Sequence, residues 1–204
     1  MLKDTGERII PENMSWDNGM LIEHLARYHF AVPYVHGRTL DIACGAGYGT
    51  KLLAKKTKKQ GTTLVGADID EASLTYARAN YHHPNTTFSY ADVNAPNALE
   101  SLGMFDTIVS FETIEHVPSD ETFIAAVTQC LKPGGTLIVS TPFGNGRGEP
   151  TNSPFHYHQL TEAEFLNLFK AFHAELFYQS GPLIESTKRK KHYPLGIAVA
   201  HKPI

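Results

Sequence analysis

Apolar residues recur along this chain in two rhythms. Short β-branched runs bounded by turn residues predict strands at 39–43, 63–68, 86–90, 105–111 and 135–141. Between them, Tyr48–Lys58, Glu71–Asn80 and Ser119–Leu131 show helical spacing. In the last of these Phe123, Ile124, Val127 and Leu131 make one buried face, Cys130 belongs with the same core, and Pro133-Gly134-Gly135 ends the helix. A further helix is expected over 17–32, with Leu21, Leu25 and Tyr28 on one side. Beyond the fifth strand, 142–158 is rich in Gly, Pro and Asn, Thr161–Ala171 is helical, and 173–180 and 195–201 are extended. Only a short loop joins those last two strands. They are therefore antiparallel neighbours, since a parallel pair needs a longer crossover. Alternating strands and helices predict the α/β class with a mostly parallel sheet, closed at its end by an antiparallel strand.

A chain of 204 residues fits a single domain, 1–204. The formal net charge is only -3 with both signs interspersed, so no global field recruits a polyanion or an anionic membrane. The first residues lack an apolar core of signal-peptide length, and no run approaches a membrane span, so a cytoplasmic protein is the expectation. Two cysteines, Cys44 and Cys130, make no disulfide framework. The basic cluster Lys188–His192 reads as a solvated loop, and the lysines at 51, 55, 58 and 59 as the wet side of a helix.

The segment Thr39-Leu-Asp-Ile-Ala-Cys-Gly-Ala-Gly-Tyr-Gly-Thr50 is a strand that ends in a Gly-rich turn and opens a helix, a nucleotide-binding arrangement. Its glycines at 45, 47 and 49 do not fit the dinucleotide fingerprint. Asp41 would also repel a pyrophosphate placed on the helix N-terminus. A cationic ligand suits a carboxylate there, and S-adenosylmethionine carries both an ammonium and a sulfonium. Asp68 ends the next strand, 23 residues after Gly45, near the spacing at which an acid meets ribose hydroxyls. Asp92 follows the third strand at the same edge, whereas Asp70 is placed as a helix N-cap. Cys44 is assigned to the shape of the turn, since nothing nearby supplies a cation to activate it.

In order and spacing, Asp41–Gly49, Gly66-Ala-Asp68, Ala91-Asp92, Phe105–Ser110 and Leu131–Val139 resemble the motifs of class I S-adenosylmethionine-dependent methyltransferases over roughly 40–180. The resemblance implies a three-layer Rossmann-like sandwich with a seven-stranded, mostly parallel sheet, its last strand antiparallel, plus an N-terminal helix. Within it, 1–36 would be an extension covering the active site and 37–204 the catalytic core. It also implies a donor site made of Asp41, Ala43, Gly45, Gly47, Asp68, Ile69, Asp92, Val93 and Phe111, with Arg27 or Tyr28 reaching the donor carboxylate or the acceptor.

Glu112, Glu115 and His116 fall at i, i+3 and i+4, which on a helical turn puts three ligand groups on one face. This element resembles the Glu-x-x-Glu-His of ubiquinone-pathway O-methyltransferases and of enzymes that methylate small-RNA 3′ ends, where it binds a divalent metal. His156 is the residue that would add a further ligand, with His158 the alternative. A metal-free reading stands beside it, with His116 as general base and the two glutamates supporting the turn. The other histidines, His24 among them, read as ordinary surface or core residues.

Thr5-Gly-Glu-Arg8, Pro11-Glu12 and Glu23–Phe30 resemble the leader of bacterial methyltransferases found with glycosyltransferase and surface-polysaccharide genes, which implies a small polar acceptor such as a sugar. A hydroxyl of such a metabolite is the expected target. RNA-end or nucleoside methylation is the alternative within enzymes, and a non-catalytic S-adenosylmethionine-binding protein the alternative outside them.

Overall fold

Successive residues along the strands face two different apolar clusters. In β4 (Phe105–Phe111), Ile108 joins one cluster and Val109 and Phe111 the other; in β5 (Leu131–Pro142), Leu137 and Val139 oppose Ile138 in the same way. A sheet that alternates like this, apolar on both faces, must be covered on both. On one face lie α4 (Asp120–Gln129) and α5 (Glu162–Asn167), through Phe123, Ile124, Val127 and Phe165. On the other lie α1 (Gly19–Ala31) and α2 (Tyr48–Thr57), through Leu21, Tyr28, Ala31, Leu53 and Ala54, with α3 (Glu71–Asn80) adding Tyr76. The result is a three-layer sandwich, seen in a computed structural model that describes Leu2, 8–95, 97–151 and 153–204. Thr5–Glu7 of the leader motif lie outside the described residues.

The remaining strands are β1 (Arg38–Ile42), β2 (Thr63–Asp68), β3 (Thr86–Tyr90), β6 (His173–Ser180), β7 (Leu183–Glu185) and β8 (Leu195–His201). The sheet has eight strands in the order β3-β2-β1-β4-β5-β8-β6-β7, one more than the seven expected. The extra strand is β7, whose three residues pair antiparallel with β6 across a turn at Gly181, φ 61°. The 195–201 strand is antiparallel to its neighbours, but it does not close the sheet: it is inserted between β5 and β6 and pairs with both. Leu131, expected on the helix, opens β5 instead and pairs with Phe105, because α4 stops at Gln129. The α5 helix is likewise shorter than the Thr161–Ala171 run. It starts from a capping box in which Thr161 and Glu164 satisfy each other's backbone N–H.

Asp70 caps α3, accepting from the Ala72 N–H at 3.1 Å. Both cysteines are buried and unpaired, and Cys130 sits in the cluster under α4. The basic loop is partly charge-paired: Lys188 pairs with Glu162, and Arg189 and Lys191 share Glu185 at 2.7 and 2.6 Å. Among the described residues no helix is long and apolar enough to cross a membrane.

Candidate active site

From β1 the chain crosses outward to β2 and β3, then returns to place β4 on the other side of β1. Parallel strands that leave in opposite directions open a crevice at their carboxyl ends. The residues that turn out of the two strands flanking this switch point are both left-handed without being glycine: Ala43 after β1, φ 59°, and Glu112 after β4, φ 52°. Such positions cost on the order of 1–3 kcal/mol each and cluster at functional sites. Both line the crevice, which divides into a cavity of about 620 Å³ under α1 and one of about 180 Å³ toward β3. Ala43, Asp68, Ile69, Glu112 and His116 line both parts.

Asp68 locks the Gly-rich turn. One carboxylate oxygen accepts from the Gly45 N–H at 2.8 Å and the other from the Asp70 N–H at 2.9 Å, which leaves lone pairs on each oxygen for a ligand. Burial pushes its carboxyl above the usual range, opposed by those two bonds. Gly45 (φ 54°) lines the larger cavity. Gly47 does not line either; it meets the opposite requirement, since a Cβ there would sit 2.6 Å from the Ala77 methyl carbon and 2.9 Å from the Phe88 ring. Asp92 and Val93 line the smaller cavity, and Phe111 the larger. Arg27 also lines the larger cavity, although it is only 1% exposed.

Asp41 lies differently from the expected contact with a ligand. It is 1% exposed and lines neither cavity. Its oxygens accept from the Thr50 hydroxyl at 2.6 Å and from the Tyr28 hydroxyl at 3.2 and 3.3 Å. Tyr28 covers it and carries the wall in its place. Burial pushes the Asp41 carboxyl up to about 7 against the pull of those hydroxyls, and the Tyr28 hydroxyl stands between it and the crevice. Cys44 is buried, and burial raises its thiol well above the usual range, in keeping with an inert residue that shapes the turn.

The Glu112–His116 element is not one helical turn. With Glu112 left-handed and Thr113 outside the helical region at φ -130°, only Ile114–His116 wind into a single 3-10 turn. Glu112 therefore departs from the face expected of it, and its Oε1 accepts from the Ser140 hydroxyl at 2.7 Å. Glu115, His116 and His156 are the residues brought together, each with a ligand atom within 4.8 Å of the others. His158, the alternative, is committed elsewhere: its buried Nε2–H donates to the Ile114 carbonyl at 3.0 Å.

The surroundings of this group fix its chemistry. A carbonyl only accepts, so the 3.0 Å contact between His116 Nδ1 and the Phe155 carbonyl places the ring proton on Nδ1. The lone pair then lies on Nε2, 3.9 Å from Glu115 Oε1. The His156 ring meets the His116 ring edge-on at 4.8 Å. Glu115 is 1% exposed, held by the Thr141 hydroxyl at 3.1 Å, and its carboxyl is pushed well above the usual range by burial and then by Glu112. A buried carboxylate beside two imidazoles suits a divalent cation, which would offset the cost of ionising it.

Several wall residues escaped the sequence reading. His24, taken as ordinary, lines the larger cavity together with Arg8, Glu23 and Tyr48. Its Nδ1 lies 3.1 Å from the Tyr48 hydroxyl, and burial with the Arg27 charge holds it well below the usual histidine range. The helical spacing His24, Arg27, Tyr28 places these residues together on α1 and was the available signal.

With this geometry in place, residues 40–139 match the methyltransferase domain family. Over 40–139, about half of the chain, the sequence is that of a methyltransferase domain and is similar to S-adenosylmethionine-dependent methyltransferases. A probable S-adenosylmethionine-dependent methyltransferase of Mycolicibacterium smegmatis is 33% identical over 172 residues, covering 81% of this chain and 63% of that protein. The ubiquinone biosynthesis O-methyltransferase of Dinoroseobacter shibae is 34% identical over 109 residues, 53% of this chain and 42% of that one. The chain thus spans under two thirds of the curated relatives it matches. The N-methyltransferase NodS of Bradyrhizobium japonicum, solved with S-adenosyl-L-homocysteine, superposes with a TM-score of 0.67 at 17% identity over 95% of this chain and 92% of that one, a likeness of fold.

Proposed function

We propose that this protein transfers the methyl group of S-adenosylmethionine to a hydroxyl of a small polar metabolite or sugar, with a divalent cation held by Glu115, His116 and His156. The observation that carries the reading is the His116–Glu115–His156 group, which lines the larger cavity beyond the carboxyl end of β4, with His116 lining the smaller cavity as well. In this reading Asp68 holds the ribose, Ile69, Asp92 and Val93 flank the adenine in the smaller cavity, Ala43 and Gly45 pass beneath the donor, and Phe111 packs beside it. Arg27 takes the donor carboxylate. The methyl group then points into the larger cavity, where the acceptor lies against the histidines.

Transfer from a sulfonium is an in-line displacement, so the crevice acts first by holding both partners in line. The acceptor hydroxyl must also lose its proton, and the Nε2 lone pair of His116 is directed to take it or to bind the cation. When bound, the cation supplies Lewis acidity that makes the hydroxyl a better acid. Glu112, turned to Ser140, supports the strained turn and adds negative charge beside Glu115. The ubiquinone-pathway relative is an O-methyltransferase, which favours oxygen as the acceptor atom. No residue of the basic 188–192 loop lines either cavity, which speaks against a phosphate backbone as the partner.

The test is methyl transfer from radiolabelled donor to a panel of sugars and phenols, before and after chelation. Chelator should abolish turnover, leave donor binding nearly unchanged, and be reversed by a divalent cation. Turnover insensitive to chelation, in protein free of metal by elemental analysis, would leave His116 as a metal-free base. No transfer to any acceptor would favour a donor-binding protein without catalysis.

A further inference from the structure

Arg27 is a buried cation whose hydrogen bonding is incomplete. Its Nη1 donates to the Gln179 Oε1 at 3.0 Å, whereas its Nε, also buried, has no hydrogen-bond partner among the described residues. An unpaired donor on a buried guanidinium is costly, and this one belongs to a side chain in the wall of the larger cavity. A carboxylate is the complementary group, because it can take two donors of the guanidinium fork at once.

Gln179 is what holds the fork. It is 1% exposed, in β6, and its amide has one permitted orientation. The amide nitrogen donates to the carbonyl oxygens of Glu23 at 3.1 Å and Gly181 at 2.8 Å, so the amide oxygen must face Arg27. Rotating the amide would set its NH2 against the guanidinium and its oxygen against two carbonyls. One side chain thereby ties together α1, where Glu23 precedes Arg27 by one turn, β6, and the tight turn into β7. It engages Nη1 and leaves the Nε side of the fork uncommitted.

We propose that Gln179 is a positioning residue for the methyl donor: it fixes the Arg27 guanidinium so that its uncommitted edge receives the carboxylate of the donor's amino-acid arm. The proposal rests on the assignment of Arg27 to the donor. It makes the β6–β7 hairpin part of the donor site, although no residue of that hairpin lines the cavity. The class of ligand is an α-amino acid carboxylate joined to a nucleoside, as opposed to the nucleoside alone.

Two probes separate these contributions: S-adenosylhomocysteine, and 5′-methylthioadenosine, which has the nucleoside and sulfur but no amino-acid arm. Calorimetry on the whole chain gives the ratio of the two affinities. Arg27→Met should weaken S-adenosylhomocysteine roughly 10- to 100-fold and leave 5′-methylthioadenosine unchanged. Gln179→Met should weaken S-adenosylhomocysteine on the order of tenfold, again without effect on 5′-methylthioadenosine, and add nothing further in the Arg27→Met background. Gln179→Glu keeps an oxygen on Nη1 but offsets the guanidinium charge and sets its second oxygen against the Glu23 and Gly181 carbonyls, so it should also lower the ratio. A wild-type ratio in Arg27→Met would refute the assignment of Arg27 itself. A lowered ratio there with a wild-type ratio in Gln179→Met would overturn the positioning role alone. Loss of 5′-methylthioadenosine binding in both Gln179 variants would overturn it too, by showing that Gln179 only supports the fold.

Discussion

The Tyr28 hydroxyl lies 3.2 Å from Oδ1 of Asp41 and closes the carboxyl off from the crevice. A residue of the N-terminal helix thus roofs the acid near the end of the first strand. This geometry has a consequence for stability against pH. Burial raises the folded-state carboxyl to about 7, above its unfolded value of about 4. The stabilising contribution of the protonated form is therefore complete below about pH 4 and lost as pH rises through about 7. Acidification from pH 8 to pH 5 should raise the unfolding free energy through this group by up to about 3 kcal/mol, and the urea midpoint with it. Asp68 and Glu115 act in the same sense, and Asp70 and Asp106 in the opposite one. The comparison that isolates Asp41 is the wild type against Asp41→Asn, whose midpoint should vary less with pH over that window. An identical pH profile in the two proteins would show that Asp41 does not titrate there.

Gly49 makes room for the same tyrosine. A Cβ at this position would lie 1.9 Å from Tyr28 Cζ, and the ring is walled in by Tyr48 and Phe111 at centroid distances of 5.6 and 5.0 Å. Gly49→Ala should therefore destabilise the protein by about 1–3 kcal/mol, despite alanine's better helix propensity. In the Tyr28→Ala background the same substitution should cost much less. Additive melting-temperature changes in that cycle would show that the two residues do not compete for space.

The two histidines of the 154–158 segment should behave oppositely. His156→Ala should weaken divalent-cation binding at least tenfold with little change in melting temperature, since it contributes one of three ligand groups. His158→Ala should leave cation affinity near wild type but destabilise the fold by about 1–3 kcal/mol, because the buried Ile114 carbonyl loses its donor. Titration with a divalent cation followed by thermal denaturation reads both effects, and reversed outcomes would exchange the assignments.

Much of this arrangement was legible in the chain. The strand-to-turn segment at 39–50 and the acids at 68 and 92 share one edge of a parallel sheet, so sequence order alone places them together. β7 escaped because three residues are too few to show a two-residue period. The position of β8 escaped because loop length fixes that it lies beside β6 and not which side of β6 it takes. Glu112 was misplaced for a local reason: spacing arguments assume helical backbone throughout, and one left-handed residue removes it from the common face. Asp41 was read as exposed to ligand because nothing in its own segment shows that Tyr28, from another helix, would cover it. His24 and Gln179 reach the site from elements outside the donor motifs, where sequence offers only the i, i+3, i+4 pattern of α1 and no sign of the hairpin that braces it.

The central claim is that this crevice is built for S-adenosylmethionine, with Asp68 on the ribose. Calorimetric titration of S-adenosylhomocysteine into the wild type and Asp68→Ala tests it most directly. The wild type should bind in the micromolar range, about -8 kcal/mol. Asp68→Ala should lose about 1.5–3 kcal/mol of that through its charged hydrogen bonds while remaining folded. Absence of binding to the folded wild type at millimolar ligand, or an affinity unchanged by Asp68→Ala, would contradict the account.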